Sequence, residues 1–258
     1  MAELSFICNI CGASQHADIA LFGRETPTCG SCSSTVRYRS LIHNLSLALF
    51  NKSMILPDFP ENRQIRGVGM SDWDGFAEPL AKKLDYTRTY FDQEPRLDLK
   101  NLTSDQGGRY DFVLCSEVLE HVETPVDPAF TGLANLLKPG GALILTVPYQ
   151  INTGTIEHFP NLHEYSVTRV GSSYVLVNRT RDGIYEVFDK LNFHGGIGST
   201  LEMRIFGEPD LMRNLAASGF EQVTVKGEDY PRFGIFFQER WSLPILARRK
   251  RLLDQNNQ

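Results

Sequence analysis

The sequence predicts an α/β fold: an open sheet of mainly parallel strands, preceded by a small metal-binding module. Three observations predict it. From Gln64 onward, strand-like and helix-like stretches alternate, the pattern of a sheet wound with helices. Four of the five cysteines fall within the first 32 residues, as two Cys-x-x-Cys pairs. Over 258 residues, 41% are apolar and 22% charged, which excludes a mainly disordered chain. The longest apolar stretch, Ala142 to Val147, is far below the roughly 20 residues of a membrane-spanning helix.

The N-terminus, Met-Ala-Glu-Leu-Ser-Phe-Ile-Cys, has neither a basic segment nor a long apolar one, so it does not read as a secretion signal, and a cytoplasmic protein without membrane contact is expected. Cys8-x2-Cys11 and Cys29-x2-Cys32 can each bend around one ion, and together they supply the four thiolates of a tetrahedral zinc site. Gly12 and Gly30 lie beside the two turns, where glycine eases the tight backbone. A ribbon over residues 1–40 has little core of its own, so a structural zinc is expected to supply most of its folding energy. Arg37 and Arg39 then open a helix with Leu41, Ile42, Leu45 and Leu49 on one face. The two arginines read either as a solvated helix start or as contacts to an anionic group at the cleft of the main domain. Pro57 and Pro60 break the pattern, giving a helix and linker over 41–62 and a main domain over 63–258.

In the main domain, Ile65 to Gly69 reads as a strand, Phe76 to Leu84 as a helix and Thr87 to Phe91 as a strand. Tyr110 to Cys115 is a buried strand. Pro128 to Leu137 is a helix closed by Lys138-Pro139-Gly140-Gly141, and Ala142 to Val147 is a second buried strand. Pro209 to Ser218 is a helix capped by Gly219, and Phe220 to Val225 a strand. The basic tail Arg248 to Arg251 reads as a solvated end, and Cys115 as core packing. Open sheets of this kind bind ligands beyond the carboxyl ends of their strands. Three segments stand there. Gly67-Val68-Gly69-Met70-Ser71-Asp72 lets a ligand approach the backbone. Asp92 can accept from ribose hydroxyls, and Ser116-Glu117-Val118-Leu119-Glu120-His121 follows the third strand.

The run Asp111 to Val122, the entry Leu136-Leu137-Lys138-Pro139-Gly140-Gly141 and the turn Ala217-Ser218-Gly219-Phe220 resemble the class I S-adenosylmethionine-dependent methyltransferases over roughly residues 63–226. The resemblance implies a Rossmann-like sheet, mainly parallel with an antiparallel last hairpin, and S-adenosyl-L-methionine as methyl donor. A cysteine ribbon followed by an Arg-x-Arg helix is also similar to the front end of some bacterial methyltransferases. Carried over by position, the donor-binding residues are Gly67, Gly69, Ser71, Asp92, Asp98, Leu99, Ser116 and Glu117. The chain departs from the family twice. Gly67 stands at the usual acidic position, with Ser71 and Trp73 at the second and third glycines. Only five residues separate Asp92 from Asp98, too few for the usual helix and third strand, so a shortened sheet is expected.

Methyl transfer from a sulfonium needs an aligned nucleophile and, for a hydroxyl or ammonium, a proton acceptor, a role that histidine fills near neutral pH. His121, after the third strand, and His158 and His194, in an insertion over about 149–205, are the candidates; His194 is flanked by Phe193 and by Gly195-Gly196. Tyr149, His163, Arg179 and Arg181 of the same insertion are expected to meet the acceptor, and the two arginines would face the same way if they alternate on a strand. Glu117-x-x-Glu120-His121 resembles the metal-ligand sequence of ubiquinone-pathway O-methyltransferases and small-RNA 2′-O-methyltransferases. That implies a magnesium-type site, less favoured here than a plain helix start.

The expected enzyme is thus a methyltransferase acting on a hydroxyl or amine of a small polar metabolite such as a sugar. The net charge of −5 (26 basic, 31 acidic) argues against a general nucleic-acid binder. Residues 1–62 carry only Arg24, Arg37, Arg39 and Lys52 against five acids. Two alternatives stay open: an RNA methyltransferase whose ribbon grips RNA, and a non-catalytic binding protein that kept the fold.

Overall fold

The computed structural model describes residues 3–194 and 200–251. The front of the chain pairs β1 (Glu3–Ile7) with β2 (Ser14–Asp18) and continues into helix α1 (Val36–Phe50). The Thr35 hydroxyl caps the start of α1 by accepting from the Tyr38 N–H, and Asn51 ends the helix in the left-handed conformation. The main domain then runs through β3 (Asn62–Met70), α2 (Asp74–Lys83), β4 (Leu84–Thr89), β5 (Tyr110–Ser116), α3 (Asp127–Leu136) and β6 (Leu137–Thr146).

The insertion follows, with β7 (Tyr149–Gln150), β8 (Ile156–Glu157), β9 (Glu164–Val170), β10 (Ser173–Arg179), β11 (Tyr185–Phe188), β12 (Phe193–His194), β13 (Thr200–Leu201) and β14 (Arg204–Gly207). Helix α4 (Glu208–Ala217), β15 (Phe220–Val225) and β16 (Ile245–Arg249) close the chain.

Among the described residues the central sheet has the order β15-β16-β6-β5-β3-β4. β4, β3, β5 and β6 are parallel, while β16 runs antiparallel to both β6 and β15. The mainly parallel sheet with an antiparallel last pair agrees with the sequence expectation. So does the shortening: β4 is the edge strand, and no strand of this sheet lies between β4 and β5 in the chain. The strand order reverses between β3 and β5, which creates the crevice where such sheets bind ligands.

Side chains alternate across the strands and build two core layers. Phe112, Leu114, Ala142 and Ile144 face α1, α2 and the front module. Val113, Cys115, Leu143 and Leu145 face the α3 and α4 side. Parallel strands covered on both faces read as continuous apolar runs, which is why β5 and β6 were legible. Phe6, Cys8, Ile10, Phe22 and Val36 of the front module belong to the same buried cluster as Leu84, Tyr86, Phe112 and Ile144 of the sheet. The module is therefore packed into the domain's own core rather than tethered to it.

Several expectations need correction. The basic tail is not a solvated end: Arg248 and Arg249 lie in β16, where Arg248 donates to the Ala48 carbonyl at 2.6 Å. Tertiary pairing between β15 and β6 makes a strand of a segment too short to announce itself. β6 begins at Leu137, so Lys138 to Gly141 enters the strand rather than closing a helix. Arg39 is no solvated helix start either. It is fully buried, donating to the Gly234 carbonyl at 2.8 Å, the Ser34 carbonyl at 2.8 Å and the Thr28 hydroxyl at 2.7 Å. Arg179 and Arg181 do not alternate on one strand; Arg179 ends β10 and Arg181 sits in the following turn.

Candidate functional site

The crevice between β3 and β5 holds a pocket of about 160 Å³, lined on the sheet side by Ser71, Asp72, Trp73, Phe76, Ser116 and Glu117. Two of these residues take a left-handed backbone, Ser71 at φ 52° and Glu117 at φ 55°. Each is the first residue beyond a strand end, where such strain re-aims a loop. Gly69 is needed for space, since a side chain there would collide with the Asp72 carboxylate and the Tyr86 hydroxyl. Tyr86 donates to Asp72 Oδ2, while Asp72 Oδ1 is buried with no partner among the described residues. Burial pushes the Asp72 carboxyl up to about 7, against the Tyr86 hydrogen bond and the charges of Arg37 and Arg88.

The opposite wall comes from the front module, through Arg37 and Tyr38. Tyr38 stacks on Trp73 with centroids 4.7 Å apart. Arg37 Nη1 donates to the Ser116 hydroxyl at 2.6 Å. Arg24 forks onto Glu117 at 2.6 and 3.2 Å, and holds that carboxyl below its usual range despite burial. Of the two sequence readings of Arg37, contact with the main domain's cleft is the observed one. Sequence reasoning named Asp72 and Trp73 in the expected loop without giving either a role, and missed Arg24.

The other predicted donor residues are placed as follows. Gly67 lies in β3, packed against Phe112. Asp92 is exposed just beyond β4, beside the exposed Phe91. Asp98 accepts from the Lys100 N–H and Asn101 Nδ2, both at 3.0 Å, and so caps its own turn. Leu99 is buried against α3, its carbonyl over Gly132.

Beyond Glu117 a second constellation forms. Glu120 is fully buried, and neither of its oxygens accepts a hydrogen bond among the described residues. His121 Nε2 lies 3.7 Å and His194 Nδ1 3.6 Å from Glu120 Oε1. His194 Nε2 pairs with Glu202 at 2.9 Å, and His158 Nε2 pairs with Glu202 at 2.8 Å. The three candidate histidines are therefore gathered around two buried carboxyls. Burial raises Glu120 to about 7, and the Glu120 carboxylate 3.6 Å away raises His194. Burial lowers His121, which bonds the Leu201 carbonyl through Nδ1 at 2.8 Å. Arg204, fully buried on β14, locks this corner: it pairs with Glu157 at 2.6 Å and donates to the carbonyls of Leu119 and Val122. The Gly195-Gly196 pair lies outside the described residues.

The predicted acceptor contacts are spread out. Tyr149 is buried, its hydroxyl without a partner among the described residues. His163 is exposed, its N–H donating to Asn178 Oδ1. Arg179 is exposed and pairs with Glu164 at 2.9 Å, and Arg181 is exposed. None of the four lines the pocket.

At the front, the sulfurs of Cys8, Cys11, Cys29 and Cys32 lie within 4.8 Å of one another. Cys8 and Cys32 are 3.6 Å apart, and Cys11 and Cys29 3.7 Å. Sulfurs bound to one tetrahedral zinc at about 2.3 Å stand roughly 3.8 Å apart, so the donor set fits zinc. All five thiols are free, and Cys115 is buried in the core as expected.

Comparison with known proteins gives these results. Residues 51–176 match the family model described as a methyltransferase domain. The ubiquinone biosynthesis O-methyltransferase of Dechloromonas aromatica is 28% identical over 126 residues, 45% of this chain and 46% of that protein. Its namesake from Marinobacter nauticus is 32% identical over the same shares. The chain thus spans about half the length of the curated relatives it matches. The S-adenosylmethionine-bound amino pentose methyltransferase from Micromonospora echinaspora is 14% identical, with a TM-score of 0.46, covering 84% of this chain and 92% of that one. No helix among the described residues is long and apolar enough to cross a membrane.

Proposed function

Because the chain carries a methyltransferase domain over residues 51–176, we propose that the protein moves a methyl group from S-adenosyl-L-methionine to a hydroxyl or amine of a small polar metabolite. The observation that carries this reading is the adjacency along one segment of the crevice pocket, at Ser116 and Glu117, and the histidine–carboxylate cluster, at Glu120 and His121. A sulfonium donor supplies an already activated methyl group. What remains for the protein is to align the acceptor and take its proton. The orphaned oxygen of Asp72 is an acceptor for the ammonium end of such a donor, so the pocket's residues fit it. Asp92, on the exposed loop after β4, is assigned to the ribose hydroxyls.

His121, His194 and His158 are assigned the proton. Glu120 and Glu202 orient their rings, and imidazoles held against a carboxyl that burial raises to about 7 suit general base work. The O-methyltransferase relatives favour a hydroxyl as acceptor over an amine. A cytoplasmic location and a structural zinc at the four cysteines complete the reading.

A second reading rests on the buried carboxylate of Glu120, whose oxygens accept no hydrogen bond among the described residues. With His121 and His194 it would hold a divalent ion that polarises the acceptor hydroxyl. Glu117 is not part of that set, being held by Arg24. If magnesium and manganese leave turnover unchanged, and mild chelation that spares the cysteine-bound zinc does too, this second reading fails.

The test of the main reading is a panel of sugars and other polar hydroxyl and amine compounds, incubated with the donor while release of S-adenosylhomocysteine is followed. Turnover on at least one small acceptor is expected. Turnover confined to RNA would overturn the acceptor assignment, and a chain that binds no donor would overturn the enzyme reading.

A further inference from the structure

Arg39 is a fully buried cation, and every acceptor on its guanidinium is neutral. Nη1 donates to the Ser34 carbonyl at 2.8 Å and to the Ser34 hydroxyl at 3.2 Å. Nη2 donates to the Thr28 hydroxyl at 2.7 Å and to the Gly234 carbonyl at 2.8 Å, and Nε reaches the same carbonyl at 3.3 Å. The rings of Phe6 and Phe22 lie 5.0 and 5.8 Å from its central carbon. Neutral dipoles satisfy the N–H groups but do not cancel the charge, and a buried charge without a counter-charge is costly. Arg204, equally buried, has the Glu157 carboxylate for that purpose. No carboxylate does the same for Arg39 among its hydrogen-bond partners.

The complementary negative charge lies beside it. Thr28 precedes Cys29, and Ser34 follows Cys32 by two positions, so both hydroxyl partners belong to the second cysteine turn. The Ser34 hydroxyl is 3.2 Å from Cys8 Sγ. Because that oxygen accepts from Arg39, its own proton is left to donate to the sulfur. A divalent ion on four thiolates leaves two negative charges in excess, and Cys8 and Cys29 are buried. Burial pushes the Arg39 guanidinium down, and negative charge on the four cysteines acts against that.

We propose that Arg39 is the counter-charge of the cysteine metal centre, acting on Cys8 through the Ser34 hydroxyl and anchored on the Gly234 carbonyl. The assignment rests on the zinc reading above. It gives the first turn of α1 two attachments, to the crevice through Arg37 and to the metal centre through Arg39. It also ties the metal to the segment between β15 and β16 that carries Gly234.

The experiment uses the full-length protein. Zinc affinity is read by competition with a chromophoric chelator, and cobalt(II) in place of zinc reports the sulfurs through its thiolate-to-metal charge-transfer band. Arg39→Met is expected to weaken zinc binding by about 10- to 100-fold, the range for residues that support metal ligands. Its cobalt band should move to longer wavelength, because sulfur electrons lose a nearby positive charge. Arg39→Lys, which keeps the charge but not the fork, should hold the band near the wild-type position. Ser34→Ala should move it the same way as Arg39→Met, since Cys8 loses its hydroxyl donor. A role confined to packing would lower stability in both Arg39 variants and leave the band where it was. Unchanged affinity and band in Arg39→Met overturn the assignment and leave the zinc reading intact. If Arg39→Met takes up no cobalt, the other two variants decide: a shifted band in Arg39→Lys, or an unshifted one in Ser34→Ala, overturns it. A folded wild-type protein that binds neither metal would remove the zinc reading, and the assignment with it.

Discussion

Arg204 has no assigned chemistry, yet the corner that gathers the three histidines depends on it. Its guanidinium joins Glu157 to the carbonyls of Leu119 and Val122, the residues that flank Glu120 and His121. Arg204→Met leaves those acceptors buried without a donor and should cost about 3 kcal/mol in urea unfolding, with methyl transfer falling further than donor binding. Asp72 gives a pH prediction. Burial holds its folded-state pKa, about 7, above that of the unfolded chain. The folded carboxyl therefore stays neutral while the unfolded one ionises, so stability falls as the pH rises from about 4 to about 7 and levels off above that. Without ligand, the advantage of Asp72→Asn over wild type should grow by roughly 2–3 kcal/mol between pH 5 and pH 8, read from paired melts. An equal effect at both pH values would refute the shift. Neither residue's role was legible in advance. Arg204 is one charge in a variable-looking insertion, and only the fold sets it against a turn 82 to 85 residues earlier.

Among the elements, α1 does two jobs. Leu41, Ile42 and Leu45 bury against the sheet, while Tyr38 and Arg37 in its first turn face the crevice. The stack of Tyr38 on Trp73 fixes that turn to the loop carrying Asp72. Trp73→Ala should therefore cost about 1 kcal/mol of stability beyond lost area and weaken donor binding together with it, as measured by melts and calorimetry. The apolar periods of α1, α3, α4, β5 and β6 were plain in the sequence because burial on defined faces dictates them. β16 was not, since Ile245 to Arg249 gains its strand character only by filling the gap between β15 and β6. The exposed strands β9 to β11 escaped notice for the opposite reason: β9 has no buried face to impose an alternation.

At the scale of the whole molecule, the front module and the main domain share one hydrophobic layer. One zinc per chain is predicted by elemental analysis. Stripping it should lower the melting temperature of the entire protein in one transition, and weaken donor binding as Arg37 loses its footing. Two separate transitions would mean the modules are independent. The cysteine spacing announced the four-sulfur cluster from sequence alone, because metal geometry is written in short local intervals. The pocket's closure by Arg24 and Arg37 was not, because it joins residues about 80 to 93 positions apart. The most direct measurement is isothermal titration of S-adenosylmethionine into the full-length, zinc-loaded protein. One-to-one binding, competed by S-adenosylhomocysteine, is predicted. A folded protein that gives no binding heat at millimolar donor would contradict the account.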